Sequence, residues 1–182
     1  MEKITHQGKI IEVVHKEVKH NNKTQIFEFA RRSPGARLII PKGEKIILTK
    51  EWRHEINGYD YRLPGGKVFD SLNEYNNALE QKIDISESAK NAAIKEAKEE
   101  VGIQVKEISF FHKSVCGATV VWDLFYFVVN DFIETSQELE DGEDITVELV
   151  DLNKVKEMCL SGEIGEERSA LVIMRYLNNL EN

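Results

Sequence analysis

A glutamate-rich segment occupies residues 87–103 and reads ESAKNAAIKEAKEEVGI. It contains no proline, and its one glycine, Gly102, precedes only the final isoleucine. Four alanines and an isoleucine recur between its charged residues, and all of them are compatible with a helix. The segment therefore predicts a helix from near Ser86 to Val101, with Gly102 as the residue just past its end.

Three carboxylates share one face of this predicted helix, because Glu96, Glu99 and Glu100 stand at positions i, i+3 and i+4. Like charges at this spacing repel, whereas a cation between them reverses the sign of the effect. Mg²⁺ takes oxygen ligands and keeps several waters, so helix carboxylates together with substrate phosphates suit it. The alternative that the spacing leaves open is a solvated Glu/Lys face, supported by a Lys95–Glu99 pair.

The composition is that of a globular protein. The chain has 182 residues, 41% hydrophobic and 31% charged, with a formal net charge of −8. This length fits one domain, or one domain with a small appendage. Two cysteines are too few for a disulfide framework, and the absence of a long basic cluster argues against a nucleic-acid partner. No stretch reads as a membrane span or a signal peptide, so we expect a cytoplasmic protein without a membrane partner.

Acidic residues are concentrated in the last third of the chain. Residues 114–153 contain ten Asp or Glu and no Lys, Arg or His. Such a block indicates either a solvated loop or a site with hard oxygen ligands for a divalent cation.

Strand and helix signals alternate along the chain. Strands are predicted at residues 9–18, 24–30, 36–40, 45–49 and 59–63, and then at 105–112, 119–129 and 145–150. Further helices are predicted at residues 71–81, 152–160 and 166–180. This order predicts an α+β protein with a mixed sheet and helices on its faces, as in an α/β/α sandwich.

The glutamate-rich segment resembles the Nudix box, the signature of a known family of hydrolases. In this chain the match runs Glu87-x7-Lys95-Glu96-Ala97-x-Glu99-Glu100-x-Gly102-Ile103, with Gly66 upstream. Residues 51–53, 63–67 and 140–145 are similar to the branch that hydrolyses ADP-ribose and nucleoside-diphosphate sugars.

The resemblance implies a particular architecture. It implies the Nudix fold over residues 44–182, preceded by a small antiparallel β region, residues 1–43. In that branch of the family, the β region is exchanged across a homodimer, so a second copy of the chain is the expected protein partner.

Three positions depart from the family pattern. Twenty residues instead of five separate Gly66 from Glu87, and we interpret the excess as an inserted helix near residues 71–81. The arginine that pairs with the first box glutamate is Lys95 here, which keeps the charge but loses the planar fork. Arg62 stands where the family often has glutamate, which removes one candidate metal ligand.

The resemblance also implies a set of site residues. Glu96, Glu99 and Glu100 would hold Mg²⁺, or Mn²⁺, with help from the backbone of Gly66, and Glu99 counts among the catalytic residues as well. The general base would come from the acidic loop, where we favour Glu143 over Asp141 and Glu140. Arg53 is the best candidate for contacting substrate phosphates, and Arg32 and Arg62 are weaker ones. Glu87, Lys95 and Gly102 would be structural residues of the box.

The leading hypothesis is a Mg²⁺-dependent pyrophosphatase. It would hydrolyse ADP-ribose or a nucleotide sugar to a nucleoside monophosphate and a sugar phosphate. One alternative is a non-catalytic Nudix domain that senses a nucleotide sugar, motivated by Lys95. The other alternative is a house-cleaning enzyme that acts on nucleoside triphosphates.

Overall fold

A computed structural model describes residues 2–21, 23–54, 56–139, 142 and 144–181. The strands are β1 (Glu2–Gln7), β2 (Glu12–His20), β3 (Lys23–Arg31), β4 (Gly35–Ile39), β5 (Pro41–Lys42), β6 (Lys45–Arg53), β7 (Gly58–Arg62), β8 (Ile103–Ser114), β9 (Val120–Val121), β10 (Leu124–Glu134) and β11 (Ile145–Asp151). The helices are α1 (Leu72–Glu80), α2 (Ile85–Glu96), α3 (Leu152–Ser161) and α4 (Glu167–Leu180), and a π-helical turn, Ala97–Val101, extends α2.

Parallel and antiparallel pairing meet in the centre of the molecule. Strand β10 lies between β4, with which it is parallel, and β8, with which it is antiparallel. A second sheet has the order β11-β6-β5, with β7 also paired to β6. The predicted α+β class with mixed pairing is confirmed.

Alternate residues of β10 point into two separate cores, as the two-residue period of a strand requires. Leu124 and Tyr126 pack in one core with α3 and α4, whereas Phe125 and Phe127 pack in the other with α2. Helix α2 contributes fully buried alanines at every fourth position, Ala89, Ala93 and Ala97. These small side chains allow α2 to lie close to the sheet, which fixes the position of the turn that follows it.

The N-terminal strands form a sheet of their own, in the order β1-β2-β3-β9. Strand β1 was not predicted, because all six of its side chains are exposed and its sequence lacks apolar alternation. The strand predicted at residues 119–129 is interrupted at Trp122. Val120 and Val121 pair in parallel with β3, while the chain from Leu124 onward pairs with β4 and β8.

The proposed division at residue 43 stays a prediction. Residues 2–31 build the N-terminal sheet, but β4 already belongs to the central sheet. Within the described residues, no helix is long and apolar enough to cross a membrane.

Candidate active site

The loop Pro64-Gly65-Gly66 is held against the first residues of β4. The amide of Leu38 donates to the carbonyl of Pro64 at 2.9 Å, and the amide of Ala36 donates to that of Gly66 at 3.0 Å. These bonds fix the loop as a short extension of the central sheet.

Both glycines of this loop are required by close approaches. Gly65 has φ +136°, and a Cβ there would lie 2.2 Å from the carbonyl oxygen of Ala36. A Cβ on Gly66 would lie 1.9 Å from Oε1 of Glu96. The amide of Gly65 donates to Oε2 of Glu100 at 2.7 Å. The loop is thus shaped to receive two of the three carboxylates that the sequence singled out.

The π-helical turn carries Glu99 and Glu100. A π-turn is rare, and such turns occur frequently at functional sites. It ends at Gly102, which has the left-handed conformation (φ +71°), as predicted for the residue past the helix end. A side chain at Gly102 would collide with the backbone of Ser136 and Gln137.

A polar cleft of about 380 Å³ lies between the loop, the end of α2 and the strands β6 and β7. It brings together these predicted site residues: Arg32, Arg53, Arg62, Gly66, Lys95, Glu96, Glu99 and Glu100. It also contains residues that the sequence reasoning did not assign to the site, among them Arg37, Asp70 and Trp122.

The donor atoms in the cleft fit a divalent metal. Three glutamates offer hard oxygen ligands, whereas the carbonyl of Gly66 already accepts hydrogen bonds from Ala36 (3.0 Å) and Nη1 of Arg37 (3.5 Å). In the described part of the chain, no three acidic, histidine or cysteine side chains form a ready metal-binding group. Mg²⁺ commonly takes one or two carboxylates and completes its octahedron with waters and substrate phosphates, so a closed cage is not required.

Two of the predicted substrate arginines are already engaged by acidic neighbours. Nη2 of Arg53 lies 2.6 Å from Oε2 of Glu51, its neighbour on the same face of β6. Arg62 forms an ion pair with the buried Asp60. Both guanidinium groups line the cleft, but part of their charge is compensated by the protein.

Arg32 is different from these two. Its guanidinium carbon lies 4.1 Å above the ring centroid of Trp122. Burial lowers the pKa of Arg32, and the charges of Arg37 and Arg168 lower it further. Its Nε, like that of Arg53, is buried and has no hydrogen-bond partner among the described residues. The difference is that no ion pair joins Arg32 to a described acid. Of the three predicted substrate arginines, Arg32 is therefore the one whose charge no described acid compensates through an ion pair.

Arg37 was missed because it lies in an apolar run of β4. It is 9% exposed, and Nη1 donates to the carbonyl of Ala36 at 2.9 Å. Burial lowers the pKa of Arg37, while the nearby Glu100 carboxylate opposes this and Arg62 adds to it. The sequence signal for Arg37 is a charged residue inside an otherwise apolar strand, since such residues are seldom buried without a role.

Lys95 and Glu87 occupy opposite ends of α2. Nζ of Lys95 lies 3.1 Å from Oε2 of Glu99, which is the i,i+4 pair that the sequence allowed. Glu87 stands in the first turn, where its amide donates to the capping carboxylate of Asp84 at 3.4 Å. Seven residues lie between Glu87 and Lys95, and the eight helical steps from one to the other span about 12 Å along the axis.

The favoured general bases Glu143, Asp141 and Glu140 lie outside the described residues. The residues before them are tied to the π-turn: the amide of Glu138 donates to the carbonyl of Glu99 at 3.1 Å. The side-chain amide of Gln137 donates to the carbonyl of Glu100 at 2.6 Å and to that of Ile145 at 3.3 Å. Gln137 thereby links the π-turn, which carries Glu99 and Glu100, to Ile145, the first residue of β11.

Comparison with known proteins agrees with this architecture. The model of the NUDIX domain family matches residues 31–169, which is most of the chain. The protein therefore belongs to the Nudix family, and the prediction of a Nudix hydrolase is confirmed at the level of the family.

A solved structure described as an ADP compounds hydrolase is similar to this chain, with a TM-score of 0.71. The similarity covers 99% of this chain and 93% of the other, at 17% sequence identity. At this identity the likeness establishes the shared fold. No curated protein matches the chain in sequence.

Proposed function

We propose that this protein hydrolyses the pyrophosphate bond of ADP-ribose or of a nucleotide sugar. The products would be a nucleoside monophosphate and a sugar phosphate. The observation that carries the proposal is the meeting of three box carboxylates and several arginines in one cleft. Family membership supports the reaction class, and the similarity to an ADP compounds hydrolase favours an ADP-containing substrate.

Arg32 would bind the pyrophosphate. A guanidinium group offers a planar fork of donors that matches phosphate oxygens. Arg53 and Arg62 are held by Glu51 and Asp60, so they would line the path of the anion and contribute less charge.

Glu96, Glu99 and Glu100 would hold Mg²⁺, with Mn²⁺ as a substitute. A divalent metal held there would neutralise negative charge on the phosphate oxygens and acidify a bound water. The Gly65 amide orients the Glu100 carboxylate, and Lys95 orients that of Glu99. We favour Glu143 as the group that takes the proton from the attacking water, with Asp141 and Glu140 as the next candidates.

The N-terminal sheet would pair with a second copy of the chain. Its strand β3 exposes two large apolar side chains, Ile26 (63%) and Phe27 (53%). Phe27 also lines a groove of about 610 Å³ between this sheet and α1. Light scattering that returned a monomer mass would overturn the dimer, and Phe27→Glu is expected to shift a dimer toward monomer.

Product analysis on a small panel tests the reaction. The panel contains ADP-ribose, ADP-glucose, UDP-glucose, GDP-mannose and a nucleoside triphosphate, each with and without Mg²⁺. We expect metal-dependent release of a nucleoside monophosphate from at least one of the first four compounds. Pyrophosphate release from the triphosphate alone would favour the house-cleaning alternative, and binding without turnover would favour the sensor.

A further inference from the structure

Trp122 stands at the break between β9 and β10, and its ring lies against two guanidinium groups. The guanidinium carbon of Arg32 is 4.1 Å from the ring centroid, and that of Arg168 is 4.2 Å from it. We call these three residues the Trp122 stack. An aromatic face attracts a cation, so one ring here holds two cations that repel each other.

The Arg168 guanidinium is held by two hydrogen bonds, although its Nη2 is buried without a hydrogen-bond partner among the described residues. Nε of Arg168 donates to Oε1 of Glu166 at 3.0 Å, and Nη1 donates to the carbonyl of Trp122 at 2.8 Å. Glu166 in turn accepts from the hydroxyl of Ser169 at 2.6 Å and from its amide at 2.9 Å. The first turn of α4 therefore anchors both Arg168 and the backbone of Trp122.

The Arg32 guanidinium contacts the ring but is held by no hydrogen bond or acid among the described residues. No side-chain hydrogen bond of Arg32 reaches any residue that the structure describes, and its Nε is buried. Arg32 and Trp122 line the same cleft as the box carboxylates. A half-buried cation that pairs with no described acid is retained at a free-energy penalty unless an anion binds there.

We propose that Trp122 is a positioning residue, which holds the Arg32 guanidinium in the cleft so that it can bind the pyrophosphate of the substrate. Pyrophosphate binding by Arg32 rests on the proposed function, whereas the contact between Arg32 and Trp122 is observed in the structure. Trp122 acts through Arg32 and does not touch the reacting atoms. Its ring should therefore control substrate affinity more than the rate of the chemical step.

Kinetics of two variants test the proposal. For Trp122→Leu we expect KM to rise about tenfold, because a cation–π contact is lost, while kcat changes by less than about threefold. Trp122→Phe keeps an aromatic face and should restore KM to within about threefold of the native value. Equal KM values in all three proteins would overturn the proposal, as would a Phe variant that is no better than Leu.

A binding measurement separates this proposal from the proposed function. Trp52→Phe leaves Trp122 as the only tryptophan, and its fluorescence is followed while inorganic pyrophosphate is added in the presence of a chelator. We expect a saturable change that disappears in the Trp52→Phe, Arg32→Met double variant. If the protein hydrolyses none of the panel compounds but this change is seen, the proposed function fails and the positioning role stands. No change on pyrophosphate addition would overturn the positioning role even in an active enzyme.

Discussion

Arg31 and Arg32 are neighbours in the sequence but belong to two regions of opposite character. Arg31 is the last residue of β3 in the N-terminal sheet, is 8% exposed, and donates hydrogen bonds to two acids and an amide. Its Nε donates to the fully buried Glu12 at 2.6 Å, Nη1 to Glu2 at 3.0 Å and Nη2 to Asn76 at 3.0 Å. Asn76 also donates to Glu12 at 3.0 Å, which closes the network.

Arg32 points toward the cleft and has an aromatic ring in place of an acid. Its neighbours Arg37 and Arg168 raise the local positive charge. The two arginines differ in how the protein compensates their charge, and this difference indicates their roles. A guanidinium whose three nitrogens all donate to protein groups holds the fold, whereas one kept among like charges is available to a ligand.

The largest effect in this comparison is expected on stability. Arg31→Met leaves Glu12 buried without its counter-ion, and breaking such a pair costs about 3–5 kcal/mol. Urea unfolding of the variant should show this loss, while KM of the protein that remains folded should stay near the native value. The double variant Glu12→Gln, Arg31→Met is the control and should recover part of the loss. A native-like midpoint of urea unfolding together with a raised KM would contradict this account, because Arg31 would then serve substrate binding and not the fold.

The next largest effect is expected on substrate binding. Arg32→Met removes charge-assisted hydrogen bonds worth about 1.5–3 kcal/mol, so kcat/KM should fall by about ten- to a hundredfold. The free energy of unfolding should change by less than about 1 kcal/mol, because Arg32 pairs with no acid among the described residues. Steady-state kinetics and urea unfolding on the same preparation separate the two results. An unchanged kcat/KM would show that Arg32 does not bind the substrate.

A smaller effect tests the inserted helix α1. Asn76 is the residue of α1 that joins the buried ion pair. Asn76→Ala should lower the free energy of unfolding by about 1–3 kcal/mol, because it leaves buried polar partners unsatisfied. Asn77→Ala, on the same helix, is the matched control. Equal stability of both variants would show that Asn76 does not fasten the inserted helix to the N-terminal sheet.

The smallest effect is expected on the pH dependence of Tm, and it concerns Glu166, which accepts a hydrogen bond from Arg168. Burial tends to raise the pKa of Glu166, but hydrogen bonds from Ser169 and Arg168 outweigh it and hold the pKa below its usual 4.5. A depressed pKa stabilises the fold above pH 4.5, and this contribution is lost as pH falls through the folded-state value. Glu166→Gln should therefore have a lower Tm than the native protein at pH 7, with a smaller difference at pH 3. The exposed Glu167→Gln should show neither difference.

Much of this fold could be predicted from local patterns. The helix around residues 86–101 was placed to within a residue of its observed start, because its composition and the glycine after it are strong local signals. Its last turn could not be predicted as a π-turn, since that geometry accompanies docking of Glu100 on Gly65 and of Gln137 on the turn. Periodicity carries no information about such partners.

The carboxylates of the site could be predicted because they lie within one helix at fixed spacing. The arginines could not be ranked, since Arg32, Arg53 and Arg62 differ in their tertiary neighbours and not in their local sequence. Trp122 was missed for the same reason. It lies in an apolar stretch that reads as one strand, and only the three-dimensional structure shows that the strand is broken there.

The proposed function depends on metal binding by the carboxylates of the π-turn. The most direct measurement is kcat of Glu100→Gln on the fastest substrate of the panel, beside Glu138→Gln as the control. Glu138 is an exposed acid that pairs with Lys98 at the surface. We expect Glu100→Gln to lose several kcal/mol of transition-state stabilisation, about a hundredfold or more in kcat, with an intact fold, and Glu138→Gln to stay within about twofold. Near-native turnover by Glu100→Gln would contradict the assignment of the site.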